Sequence, residues 1–121
     1  MDNKTFKVVF KKRLYTFVIY LVKTLDKLPK DSTTKIFVDQ LIRSSTSILA
    51  NYVEAQAASS RKDFTNFIHH SLKSANESKV WISILKDTKR LSEKDANYFL
   101  KEVTEIANIL GSSIVTLKSK V

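Results

Sequence analysis

The sequence has no cysteine, a single glycine and a single proline among 121 residues. Without cysteine there are no disulfides, no thiolate metal sites and no thiol nucleophiles. One Gly and one Pro are too few for most β architectures, which use both at their turns. They also exclude glycine-rich phosphate loops, where the backbone must approach the ligand closely. Long apolar runs are missing too. The longest helix-compatible one spans Phe17 to Val22, against about 20 residues for a membrane-spanning helix. The opening Met-Asp-Asn-Lys-Thr-Phe-Lys lacks the apolar segment of a secretory signal. The expectation is a soluble, cytoplasmic, all-α protein of one domain covering residues 1–121, without a membrane role.

What is abundant is positive charge: 21 Lys and Arg against 12 Asp and Glu, a formal net charge of +9. Such an excess suits a polyanionic partner, although lysine-rich surfaces also serve solubility. The charge is unevenly placed. Residues 1–30 hold eight basic and two acidic residues, a net of +6, and residues 61–90 hold seven and three, a net of +4. Residues 31–60 come to −1 and residues 91–121 to zero.

Periodicity, breaks and caps divide the chain into helices over about 5–28, 33–58, 61–89 and 93–119. In the first, Phe6, Phe10, Leu14, Phe17, Leu21, Leu25 and Leu28 recur at three-and-four spacing. Pro29 closes it, because the residue before a proline is driven out of helical geometry. Asp31 or Ser32 caps the second helix, whose seam is Val38, Leu41, Ser45, Ile48, Tyr52 and Ala55. Ser60 with Asp63, and Ser92 with Asp95, read as capping boxes for the third and fourth. The third turns Phe64, Ile68, Leu72, Ala75, Ile82 and Leu85 inward. The fourth carries Ala96, Phe99, Val103, Ile106, Leu110, Ile114, Leu117 and Val121. Short connections force antiparallel neighbours, so the predicted architecture is an up-down-up-down four-helix bundle. Gly111 falls inside the last helix at a cost of about 1 kcal/mol against Ala, which points to a close approach by another helix backbone.

Chemistry-bearing constellations are sparse. His69 and His70 are adjacent, so on a helix they point about 100° apart and cannot clamp one metal. No serine stands in a strand–turn–helix elbow. Neither a catalytic residue nor a metal or other cofactor is expected, and the chain does not read as an enzyme.

The second helix is unusual. Between residues 33 and 58 the charged residues are Lys35, Asp39, Arg43 and Glu54. Opposite its apolar seam runs a polar stripe of Gln40, Arg43, Ser44, Ser47, Asn51 and Glu54. A solvated face in so basic a chain would normally carry Lys and Glu, so this face is expected to be covered by another helix or a second subunit. Arg43 and Glu54 are about 16 Å apart along the axis and cannot pair. Glu77 is the expected partner of Arg43; were both buried, truncating either would cost about 3 to 5 kcal/mol.

Candidate nucleic-acid contacts are Lys4, Lys7, Lys11, Lys12, Lys23 and Lys27 on the first helix, and Lys79, Lys86 and Arg90 on the third. These helices are diagonal in a square bundle, which splits the basic surface of a monomer; assembly of subunits into a ring would bring such stripes together. Tyr15 and Tyr20 are the aromatics available for stacking on bases.

Three stretches also resemble a known family. They are Arg13-Leu14-Tyr15-Thr16-Phe17, Leu28-Pro29-Lys30-Asp31, and the run from Gln40 through Arg43-Ser44-Ser45-Thr46-Ser47 to Asn51-Tyr52-Val53-Glu54-Ala55. Ser60-Arg61-Lys62-Asp63-Phe64 and Ser71 to Trp81 continue the likeness. It is to the bacterial four-helix bundle proteins named for genes in intervening sequences of large-subunit ribosomal RNA, over about residues 6 to 117. The accessory protein of diversity-generating retroelements is similar at a greater distance. The resemblance implies a homo-oligomeric ring, a pentamer, with a basic surface. For the retroelement cousins it also implies binding to RNA or DNA and to a reverse transcriptase. It implies a structural role for Gln40, Arg43, Ser47, Asn51 and Glu54, as a polar network in the bundle or at a subunit contact. Asn76 departs from the family pattern, where a carboxylate is usual, and leaves Glu77 the one acid in that turn. Two readings remain open: a nucleic-acid-binding accessory protein, and an oligomeric scaffold whose charge serves solubility.

Overall fold

The computed structural model describes residues 1–119 and contains four α-helices: α1 (Asn3–Leu25), α2 (Ser32–Gln56), α3 (Arg61–Asp87) and α4 (Glu93–Ser119). Val121, the last residue of the predicted α4 stripe, lies outside the described residues. The connections over 26–31, 57–60 and 88–92 are far too short to run the length of a helix, so consecutive helices are antiparallel. α2 packs on α3, α3 on α4, and α1 on α2 and α4. Among the described residues the diagonal pairs α1/α3 and α2/α4 do not approach closely. The expected four-helix bundle is therefore the fold.

Caps set the helix ends. Asp2 Oδ1 accepts from the Thr5 amide at 2.7 Å and starts α1 two residues earlier than the apolar stripe suggests. α1 ends at Leu25 rather than Leu28. There the Lys27 and Leu28 amides take up three-residue turns onto Thr24 and Leu25 ahead of Pro29. Asp31 caps α2, accepting from the Thr34 amide at 3.0 Å and the Thr34 hydroxyl at 2.8 Å, while Ser32 is already helical. Ser60 accepts from the Asp63 amide at 3.1 Å, and Ser92 from the Asp95 amide at 3.2 Å.

α3 stops at Asp87, short of the expected residue 89, because Lys89 takes a left-handed φ of 60°. The Arg90 amide then reaches back to the Leu85 carbonyl, and the Lys89 amide to that of Lys86, at 2.9 Å each. This is a Schellman close with lysine at the position where glycine is usual.

The core runs the length of the bundle. Leu14, Leu21, Leu41, Ile48, Ile68, Ile82, Leu85, Phe99, Val103 and Ile106 are essentially inaccessible. Ring contacts tie α1 into it, Phe10 against Tyr52 at 5.0 Å and Phe17 against Phe99 at 6.0 Å, both edge-on. A fork adds polar anchorage: Arg13 donates through Nε and Nη2 to Glu102 at 2.8 and 2.7 Å, and Nη2 also reaches Glu105 at 3.3 Å. Gly111 has a different setting from the one expected. A Cβ placed there would meet nothing within 4 Å, so no neighbouring backbone in this chain requires glycine.

Candidate functional site

The polar stripe of α2 faces α3 along the most extensive helix–helix contact in the molecule. Small side chains make that contact possible. Ser44, Ser45, Ser71, Ala75 and Ser78 are all fully buried. A buried hydroxyl needs a partner; Ser45 donates to the Ile42 carbonyl of its own helix at 3.3 Å, whereas Ser44, Ser71 and Ser78 have partners on the opposite helix. Ser44 Oγ lies 2.8 Å from Ser78 Oγ, and Ser78 donates to the Ser74 carbonyl at 2.9 Å. Each serine has one proton; Ser78 has the shorter bond to a carbonyl of its own helix, 2.9 Å against 3.3 Å from Ser44 to Leu41, which favours Ser44 as the donor between them. Ser74 in turn donates to Ser47 Oγ at 3.0 Å, and Ser47 Oγ also accepts from Asn51 Nδ2 at 2.9 Å. Ser71 donates across the seam to the Ile48 carbonyl at 2.8 Å. Among the described residues no buried side-chain polar atom lacks a partner.

Toward the surface the seam becomes charged. Arg43 Nη2 donates to Glu77 Oε1, which also accepts from Trp81 Nε1 at 3.3 Å. Gln40 Oε1 accepts from Arg43 Nε and Nη2 at 3.2 and 3.0 Å, fixing the guanidinium plane. The Arg43 and Glu77 side chains are 57% and 38% exposed, so the penalty for breaking a buried ion pair does not apply to them. Glu54 lies apart from this network, exposed and without an ion-pair partner among the described residues. The α3 half of the seam, Ser71, Ser74, Ser78 and Trp81, is not among the sequence-derived candidates. Its signal is the spacing of three and four between the serines, the period of one helix face.

The basic residues form no single patch. Lys4, Lys7, Lys11, Lys12, Lys23 and Lys27 are exposed on α1, whereas Lys79 and Lys86 are half-buried on α3. Since α1 and α3 are diagonal, the two sets lie on separate sides. Arg90 is engaged internally, with Nε donating to Thr34 Oγ1 at 2.8 Å and Nη2 at 3.9 Å from Asp31. Among the described residues, Lys35 with Asp39 is the one lysine ion pair, so most of the lysine charge faces solvent uncompensated.

His69 is half-buried and His70 exposed. Among the described residues no group of three or more His, Asp or Glu side chains is placed to hold a metal ion, and no helix is long and apolar enough to cross a membrane.

No curated protein matches the chain significantly. A solved crystal structure does, that of a protein of unknown function from the S23 ribosomal protein family of Bacteroides thetaiotaomicron. The two chains are 32% identical with a TM-score of 0.83, and the match covers 89% of this chain and 96% of the other. The model of the 23S rRNA-intervening sequence proteins matches residues 7–112, taking in most of α1, all of α2 and α3, and most of α4. With the serine seam and both helices that build it inside that match, the chain belongs to the 23S rRNA-intervening sequence protein family.

Proposed function

We propose that this protein is a non-catalytic accessory protein that binds nucleic acid, RNA or a ribonucleoprotein, as a homo-oligomeric ring of five copies. The observation that carries this reading is the uncompensated charge of α1. Lys4, Lys7, Lys11, Lys12, Lys23 and Lys27 are exposed and lack ion-pair partners among the described residues. Each phosphate they neutralise releases counterions, which makes the binding salt-dependent and nearly blind to sequence. The family's description, an rRNA-intervening sequence protein, supports the same direction.

Apolar surface on the α1–α4 side supports self-association. Phe6, Tyr20 and Tyr98 are exposed there, with Tyr20 edge-on to Tyr98 at 5.2 Å. Phe6, Phe64, Ile109 and Leu117 line a cleft of about 640 Å³ between the first turns of α1 and the last of α4. Packing between copies would cover this surface and bring the lysine rows of neighbouring subunits together.

Light scattering on the purified protein, with and without a generic RNA at low and high salt, tests both parts. The expected result is an oligomer that takes up RNA at low salt and releases it at high salt. An oligomer indifferent to RNA would leave the scaffold reading, in which the lysines serve solubility; a monomer would refute the ring.

A further inference from the structure

A second apolar surface lies between α1 and α2. Val8 is 64% exposed, Tyr15 57% and Val53 38%. Together with the half-buried Leu49 they line a cleft of about 390 Å³, and the remaining lining residues are Lys11 and Lys12. A second cleft shares Tyr15 and continues along α1 past the exposed Ile19 and Tyr20 to Lys23. The two meet at Tyr15 and together follow the outer face of α1 from Val8 to Lys23, about 22 Å at 1.5 Å per residue, the length of a four-turn helix; only the first is walled by α2. Every charged residue in its lining is a lysine.

We propose that this groove docks an acidic amphipathic helix of a partner protein, its apolar ridge between Tyr15 and Val53 and its carboxylates facing Lys11, Lys12 and Lys23. An apolar face that water would otherwise cover calls for an apolar ridge, and the basic rim selects its flanking charge. Nucleic acid supplies the charge but nothing to cover Val8, Ile19 and Val53. A second copy of this chain lacks a suitable ridge. Of its acids within helix bodies, Asp39, Glu77, Glu102 and Glu105 are held by Lys35, Arg43 and Arg13, which leaves Glu54 as the one unpaired acid there among the described residues, and the chain is strongly positive overall. The proposal does not rest on RNA binding, and the groove's lining shares with the α1–α4 surface offered for self-association only Tyr20, at the Lys23 end.

Fluorescence anisotropy with a labelled synthetic peptide of about four turns tests it. The peptide carries Leu at i, i+4, i+7 and i+11, Glu beside them and Ala elsewhere. A control of equal composition scatters the Leu around the helix. The patterned peptide is expected to bind about ten-fold or more tighter than the control. Val53→Glu and Tyr15→Glu should each weaken it about ten-fold while circular dichroism stays unchanged. Replacing Lys11, Lys12 and Lys23 by Gln should remove most of its salt dependence. Equal binding of the two peptides, or binding of neither, overturns the proposal. So does conversion of the oligomer to monomer by Val53→Glu, which would assign the groove to a second copy, or loss of RNA uptake by Val53→Glu, which would assign it to nucleic acid. Peptide binding by a protein that ignores RNA would refute the nucleic-acid reading and leave this one standing.

Discussion

Replacing Ser78 with alanine removes the acceptor that Ser44 uses 2.8 Å away, deep in the α2–α3 contact. Ser44 then has the Leu41 carbonyl at 3.3 Å, a longer bond within its own helix. A neutral hydrogen bond contributes about 1 kcal/mol net. Both residues are fully buried, so water cannot compensate. Ser78→Ala is therefore expected to cost about 1 kcal/mol, and Ser44→Ala about the same. The double variant leaves neither hydroxyl stranded and should cost about 1 to 1.5 kcal/mol instead of the additive ~2. For a chain of this size 1 kcal/mol corresponds to about 4 °C in Tm, so thermal and urea melts followed by helical circular dichroism resolve the cycle. Additive single effects, or single variants as stable as the parent, would refute the assignment of Ser44 as donor into a shared chain of hydroxyls.

Four further outcomes are expected. A double-mutant cycle on Arg43 and Glu77 should give a coupling of about 0.5 to 1 kcal/mol, in keeping with their exposure, and less at high salt. Gly111→Ala should stabilise the protein by about 1 kcal/mol, since a methyl has free space there; a loss in thermal melts would show that a second copy covers the position. Lys89→Gly should raise stability by about 0.5 to 1 kcal/mol by relieving the left-handed backbone, measured by urea denaturation. The Asp31 carboxyl is held below the usual range by the Thr34 amide first, then by the Thr34 hydroxyl, with Arg90 adding a smaller contribution. A pKa depressed by folding gives stability that is complete above the unfolded value and lost as pH falls through the folded one. The Tm difference between parent and Asp31→Asn, which caps without titrating, should accordingly shrink below about pH 4.

The helices were legible because amphipathic spacing and caps act locally: Leu14, Leu21, Leu41 and Ile106 are in the core that their period assigns. Their ends were less so. Asp31 and Ser32 are comparable caps by residue type, and only the Thr34 contacts separate them. The α2 stripe stood out because small and amide side chains occupied a face where a basic chain would place lysine. Its α3 counterparts did not, since serine on a helix reads equally well as surface. The Arg13 fork to Glu102 and Glu105 joins residues far apart in sequence, and nothing local announces it. Gly111 shows the converse, a local anomaly for which this chain supplies no tertiary cause.

The hydroxyl seam has a consequence for alignment. Its cross-helix rungs, Ser44 with Ser78 and Ser47 with Ser74, stand about one turn apart and are chemically alike. Sliding α3 along α2 by one turn, about 5.4 Å, would set Ser44 opposite Ser74 and offer it a similar hydroxyl. The rungs therefore permit more than one vertical setting of the two helices. What does not repeat is the pairing of Arg43 with Glu77 and of Arg90 with Thr34, since a slide of one turn leaves each arginine without its acceptor. The half-exposed ion pair adds little to the depth of the native state. It favours one notch of a ratchet over the next, adding to the apolar packing of Leu41, Ile48, Ile68 and Ile82 that sets which residues of α2 and α3 meet α1 and α4.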